Sequence, residues 1–164
     1  MSDKPSSPEP SRLQAELGQT RPFGSAAQEA LLSIGHTASM LDRMLTRVLA
    51  PYKLSPAQYN VLRILRGVGP VGLPTLAIRC RMIDPSAAIT RLIDKLEQAG
   101  WAERSRAAGD RREVRCHITP GGLALLAELD PLVTAKDALL TPHLSAAALK
   151  QLIQLLDQVR AALE

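Results

Sequence analysis

Apolar side chains recur along this chain mostly at intervals of three and four, which predicts helices over most of its length, and alternate in only one short stretch. From about Ser25 to Ala50, the positions Leu31, Ile34, Ala38, Leu41, Leu45 and Val48 mark one face of a long amphipathic helix that Pro51 ends. Ser55 and Pro56 form an N-cap and first-turn pair for a second helix, which Tyr59, Leu62, Ile64 and Leu65 carry to Gly67. The loop GVGPVG leads to a third, from about Leu73 to Met82. In a fourth, Ile89, Leu92, Ile93 and Leu96 place a stripe on one buried face, with Ser86 as the N-cap after Pro85 and Gly100 as the left-handed exit. The period then changes, because Val114, Cys116 and Ile118 alternate behind the turn residues Gly109 and Asp110, and this predicts a two-stranded hairpin. Thr119 and Pro120 open a helix bearing Leu123, Leu125, Leu126 and Leu129, which is expected to bend or break at Pro131 and resume from Leu132 to Leu140. Ser145 caps a last helix striped by Leu149, Leu152, Ile153, Leu156 and Val159. The expected fold class is mainly α with a small β wing.

Composition adds the boundaries. Residues 1–22 are rich in Pro, Ser and charge, bury little, and read as a disordered tail ahead of one unit over 23–164. At 164 residues and 46% hydrophobic content the chain is long enough for a core of its own. No apolar run approaches the roughly 18 residues that a bilayer requires, and no basic segment followed by an apolar one opens the chain, so a soluble, cytoplasmic protein without a membrane partner is expected. A formal charge of +4 and a pI of about 9.4 suit a polyanionic partner, although charge alone does not decide it.

The distribution of that charge says more. Residues 101–119 carry five arginines, directly after a helix whose polar side holds Ala87, Ala88, Thr90, Arg91, Asp94 and Lys95. The small side chains Ser86, Ala87 and Ala88 keep the first turn slim enough for a major groove, where Thr90 and Arg91 reach base edges or phosphates. Phosphate contacts are expected at the start of the third helix, Pro74 and Thr75, and from Arg79, Arg81 and Lys95. Arg104 and Arg106 lie on the hairpin, and Asp110 beside Arg111 and Arg112 fixes one guanidinium for entry into a narrow minor groove. The plainer alternative, a solvated helix face and a hairpin charged only for solubility, stays open on these residues alone.

The motifs ITRLIDKLEQAGW, AGDRREVRCHIT and TPGG, in this order, make the chain resemble the MarR family (multiple antibiotic resistance regulators) over about residues 27 to 164. The resemblance implies a winged helix-turn-helix lobe over about 55–119 and a dimerisation region from helices at about 25–50 and 120–164. It implies a homodimer that binds a pseudo-palindromic operator in double-stranded DNA and represses transcription, with affinity lowered by a small aromatic or carboxylate effector. Such an effector would lie near His36, Arg43 and Tyr52, although a lone His or Tyr on a helix is more often structural. Two features depart from the family pattern: the turn Arg81–Pro85 has no Gly, and Trp101 stands where a smaller aliphatic is usual.

Cys80 and Cys116 leave two alternatives, a redox-responsive regulator of the same fold or plain core packing, and the second is favoured because one lies in a helix and the other alternates inward. Sequence-blind DNA binding by the basic finger is a further alternative. No metal site is expected, since Cys116 and His117 are adjacent and point to opposite faces of a strand. An enzyme is not expected either, and no cofactor is implied: the chain has no Gly-rich phosphate loop, nucleophile elbow or HExxH.

Overall fold

A computed structural model describes residues 11–106, 114–139 and 142–163. Among the described residues seven α-helices and three short strands follow in the order α1 (Arg12–Glu16), α2 (Ala26–Leu49), α3 (Pro56–Val68), β1 (Leu73–Pro74), α4 (Thr75–Arg79), α5 (Ile89–Gln98), β2 (Ala102–Arg106), β3 (Val114–Ile118), α6 (Pro120–Asp137) and α7 (Ala146–Ala161). The chain divides into two compact units, residues 1–44 and 45–164, with the boundary inside α2 rather than at residue 22.

In the first unit, the expectation of a structureless segment through residue 22 fails over α1. Ser11 caps this helix by accepting from the Gln14 N–H at 3.3 Å, and Arg12 pairs with Glu16 one turn on at 2.8 Å. Composition hid it because Leu13 is one apolar residue among polar neighbours, yet Leu13 is buried and Glu16 approaches His36 Nε2 on α2 at 3.5 Å.

The second unit holds the main core. Leu49, Val61, Leu62, Leu65, Ile78, Ile93, Leu96, Cys116, Leu126 and Leu129 are fully buried in it. The predicted punctuation is present: Pro51 lies in a 3₁₀ turn that ends α2, and Ser55 and Gln58 form a capping box with Pro56 in the first turn of α3. Gly100 closes α5 at φ +72, and Thr119 Oγ1 accepts from Gly122 N–H at 3.1 Å while donating to Gly100 O.

Three expectations need correction. The predicted third helix is shorter, because Leu73 and Pro74 form a strand against β3 before α4 begins, so the predicted hairpin is the larger part of a three-stranded antiparallel sheet ordered β1-β3-β2. Two residues give no alternation to detect. Gly72, at φ +63, makes this pairing sterically feasible, since a Cβ there would stand 2.8 Å from Cys116 O and collide with the His117 ring. Secondly, of the bend or break expected at Pro131 the break is absent: α6 runs through it, in a helix that Leu125, Leu126 and Leu129 anchor to the core. Thirdly, Ser86 does not cap α5, for the reason given below.

Two contacts fasten α6 to the rest of its unit. Arg66 on α3 grips Asp130 with a two-pronged fork, at 2.7 Å and 3.0 Å, and the Tyr52 hydroxyl donates to Glu128 at 2.8 Å. The fork holds the Asp130 carboxyl below the usual carboxylate range. Among the described residues no helix is long and apolar enough to cross a membrane.

Candidate nucleic-acid interface

Three flanks of α5 do three different things. Ile89, Ile93 and Leu96, at spacings of four and three, sink into the core. Thr90 is exposed, while Asp94 and Glu97, each one residue beyond Ile93 and Leu96, reach the sheet. There Arg104 of β2 pairs with Asp94 Oδ1 at 2.8 Å and with Glu97 Oε2, and lies 3.4 Å from the Thr90 carbonyl. Arg91 and Lys95 occupy the remaining flank and are exposed. Burial pulls the Arg104 guanidinium down, but its two carboxylate partners outweigh that and hold it above its ordinary value.

The entry to α5 differs from expectation. Helical hydrogen bonding begins at Ile89, and Ala88, at the N-cap position, offers no side-chain cap. Ser86 is engaged one turn earlier: its N–H and its hydroxyl both donate to Asp84 Oδ1, at 2.9 Å and 2.6 Å, forming a local turn that competes with helix initiation. The hydroxyl, then the N–H, holds the Asp84 carboxyl below its ordinary value. Ser86 and Ala87 therefore lie in a turn ahead of the helix, with Ser86 exposed and Ala87 half-buried. Asn60 on α3 fixes this turn by accepting from the Ile83 N–H at 3.0 Å.

On α4 and just after it, Arg79 and Arg81 are exposed, whereas Thr75 is half-buried with its hydroxyl 3.8 Å from Cys116 Sγ. On the sheet, Arg106 is exposed at the end of β2, and Arg115, which sequence reasoning did not single out, donates to the carbonyls of Val71 and Gly72 at 3.3 Å and 3.5 Å. Ser105 Oγ lies 3.0 Å from His117 Nε2 across the β2–β3 pair. Asp110, Arg111 and Arg112 fall outside the described residues.

Of the two cysteines, Cys116 is buried as its strand alternation predicts, and burial pushes its thiol up. Cys80 is exposed, against the expectation of core packing: it follows the last turn of α4, where Ile78 and Met82 take the inward positions. Among the described residues no group of three or more His, Cys, Asp or Glu side chains is placed to hold a metal ion.

Of the three residues expected near an effector, two border concavities among the described residues. His36 lines a concavity of about 340 Å³ within residues 1–44, together with Arg12, Glu16, Ser33, Thr37 and Met40. Tyr52 lines another of about 530 Å³ within residues 45–164, with Lys53, Gln58, Lys95, Gln98 and Trp101. Arg43 is exposed and donates to Ser39 Oγ at 2.7 Å. Sequence reasoning does not single out Lys53, and marks Trp101 only as a departure from the family pattern. Lys53 is the one non-glycine residue described in a left-handed conformation, at φ 54.

Comparison with known proteins agrees with this arrangement. The sequence profile of the MarR family matches residues 54–114, from the start of α3 into β3. The HTH-type transcriptional regulator PecS of Dickeya dadantii (strain 3937) is 39% identical over 103 residues, covering 60% of this chain and 61% of that protein. The multiple antibiotic resistance protein MarR of Escherichia coli (strain K12) is 33% identical over 92 residues, 56% of this chain and 62% of its own length. The chain thus spans about three fifths of the curated relatives it matches. Among solved structures, apo wild-type MarR from E. coli superposes with a TM-score of 0.63 at 27% identity over 85% of this chain and 98% of that one. A MarR transcription factor from Planctomyces limnophilus does so with a TM-score of 0.62 at 36% identity, over 84% of this chain and 99% of that one. Identity at that level across nearly a whole relative, on the same winged arrangement of α3, α4, α5 and the sheet, shows that the chain belongs to the MarR family.

Proposed function

We propose that this protein is a cytoplasmic transcriptional regulator, acting as a repressor, that binds a pseudo-palindromic operator in double-stranded DNA as a homodimer. The observation that carries the reading is α5 itself: its apolar stripe is buried and its carboxylates are paired with the wing, while Thr90, Arg91 and Lys95 stay exposed. In this reading Thr90 and Arg91 contact base edges in the major groove, where a guanidinium fork matches the two acceptors of guanine, with Ser86 and Ala87 at its edge. Lys95, Arg79 and Arg81 neutralise phosphates, which supplies affinity without choosing a sequence. Arg106, with Arg111 and Arg112, enters the minor groove.

Pairing of two chains is supported by apolar side chains that the single chain leaves in water: Leu31, Leu32, Met40 and Leu41 on α2, and Leu152, Ile153 and Leu155 on α7. Pairing through these helices would set two copies of α5 about one DNA turn apart, roughly 34 to 36 Å. Response to a small aromatic or carboxylate effector is supported by the concavity around Tyr52, whose lining includes Lys53, Lys95 and Trp101.

Selection of duplexes from a random pool by the full chain tests this reading. A symmetric motif bound at least about a thousandfold more tightly than scrambled DNA at physiological salt is the expected result. Equal binding of both would leave sequence-blind DNA binding in its place. Sedimentation at micromolar concentration should give a dimer, and a monomer would remove the pseudo-palindrome.

A further inference from the structure

The carboxylates on α5 are the unexplained part of a helix meant for a polyanion. Asp94 and Glu97 place two negative charges one residue from the Arg91 and Lys95 flank, and by charge alone each would weaken DNA binding. Both instead converge on the one guanidinium of Arg104, whose side chain is only 26% exposed. Arg104 springs from β2 opposite Cys116, the fully buried centre of the sheet, so the near end of this link is anchored in the core. Its far end holds α5 at the Thr90 carbonyl and at the two carboxylates.

We infer that Arg104 is a positioning residue rather than a DNA contact: with Asp94 and Glu97 it locks the wing to the recognition helix, so that both enter adjacent grooves in a fixed relative pose. The inference rests on the DNA-binding reading above and reassigns Arg104, which the sequence alone groups with the wing's contact arginines. The geometry favours this role because a planar fork reaches two carboxylates and a carbonyl at once, whereas a lysine's point charge does not. Little global stability rides on it, since these partners are partly solvated and such pairs contribute weakly to folding. Its effect falls on binding, where a wing free to swing must be ordered again each time it docks.

Two variants of the full chain separate this role from a direct phosphate contact, measured against the duplex that the wild type selects from a random pool, over a range of salt. Arg104→Lys retains the charge, and the double variant Asp94→Asn with Glu97→Gln removes two charges that oppose DNA. Positioning predicts that each loses about tenfold in affinity, as coupled contacts do. It also predicts an unfolding midpoint and a salt slope like those of the wild type, and a marginal further loss when the two variants are combined. Wild-type affinity for Arg104→Lys, tighter binding by the carboxamide pair, or a salt slope lowered by about one ion in either variant would overturn it. Should either variant unfold, faster amide exchange across β2 and β3 in the other would still support the lock, and unchanged exchange would overturn it. A wild type that favours no duplex fails at the first step, and sinks the regulator reading itself rather than this assignment alone.

Discussion

Two amphipathic helices of this chain, α5 and α7, do opposite things with their apolar faces. Within the ten residues of α5, Ile93 and Leu96 are completely buried; across the sixteen of α7 no residue is, and Ile153 remains 59% exposed. Helical period does not separate them, because both carry the stripe. The neighbours do: α5 lies against α3, α4 and β2, whereas the stripe of α7 finds no comparable cover among the described residues. The same contrast runs along α2, where Leu49 is fully buried in the larger unit while Leu31 and Leu41 stand in water. On the proposed reading, contact with a duplex and pairing with another chain fall to surfaces of different physical character. The first is a lobe complete in itself, and the second a face that waits for cover.

Matched truncations on the two sides test that division most severely. Leu62→Ala, at a completely buried position, should cost about 2–5 kcal/mol of stability at every protein concentration, as read from urea unfolding. Ile153→Glu should leave the helical content of the isolated chain unchanged and instead weaken self-association, so that the unfolding midpoint falls and loses the concentration dependence expected of the paired wild type. If Ile153→Glu unfolded the chain regardless of concentration, α7 would belong to the core and the contrast would collapse.

On the reading side the expected losses are smaller. Arg91→Ala should cost about 1–3 kcal/mol of binding to the selected duplex and relax preference at one base pair, measured by competition among single-base variants. Lys95→Ala should weaken every duplex alike and lower the salt slope by about one. Equal behaviour of the two would mean that the open flank of α5 makes phosphate contacts alone. A capping change comes next: Ser55→Ala, which removes one half of the capping box on α3, should cost about 1 kcal/mol in thermal or chemical unfolding. No measurable change there would show that the N-terminal turn of α3 is held by packing of Leu54 and Tyr59 rather than by its cap.

What the sequence disclosed follows from how local each signal is. The stripe of α5, the Ser55 cap, the exit at Gly100 and the Thr119 cap are written within one or two turns of helix, so they could be placed by spacing alone. The two-residue strand β1 could not, because its partner lies some forty positions away and its own length shows no period. The Arg66–Asp130 fork joins residues 64 apart, and nothing near either announces the other. At the candidate interface, Arg91, Lys95, Arg79 and Arg81 are exposed, while Thr75 is half-buried and Ser86 is held by Asp84. Arg104 shows the limit most plainly. A run of arginines gives the same impression whether each faces a phosphate or a carboxylate, and only the flank formed by Thr90, Asp94 and Glu97 hinted at a partner.

The smallest expected effect lies where the two regions meet, at the fork between Arg66 and Asp130. Asp130 has its carboxyl lowered in the folded chain, so its contribution is fully present above the ordinary carboxylate value of about 4 and is lost as pH falls through the lowered one. Asp130→Asn should therefore be less stable than the wild type near neutrality, and the gap should close on acidification. With the two side chains 33% and 45% exposed, solvent screening keeps the difference below about 1 kcal/mol. The acid limb should not vanish, because Asp84, held low by Ser86, titrates in the same direction. Parallel unfolding curves for the variant and the wild type from neutral to acid pH would show that the fork does not hold α6 to α3. The self-sufficient lobe would then end near Leu129, and the rest of α6 would belong with α7 to the face awaiting cover.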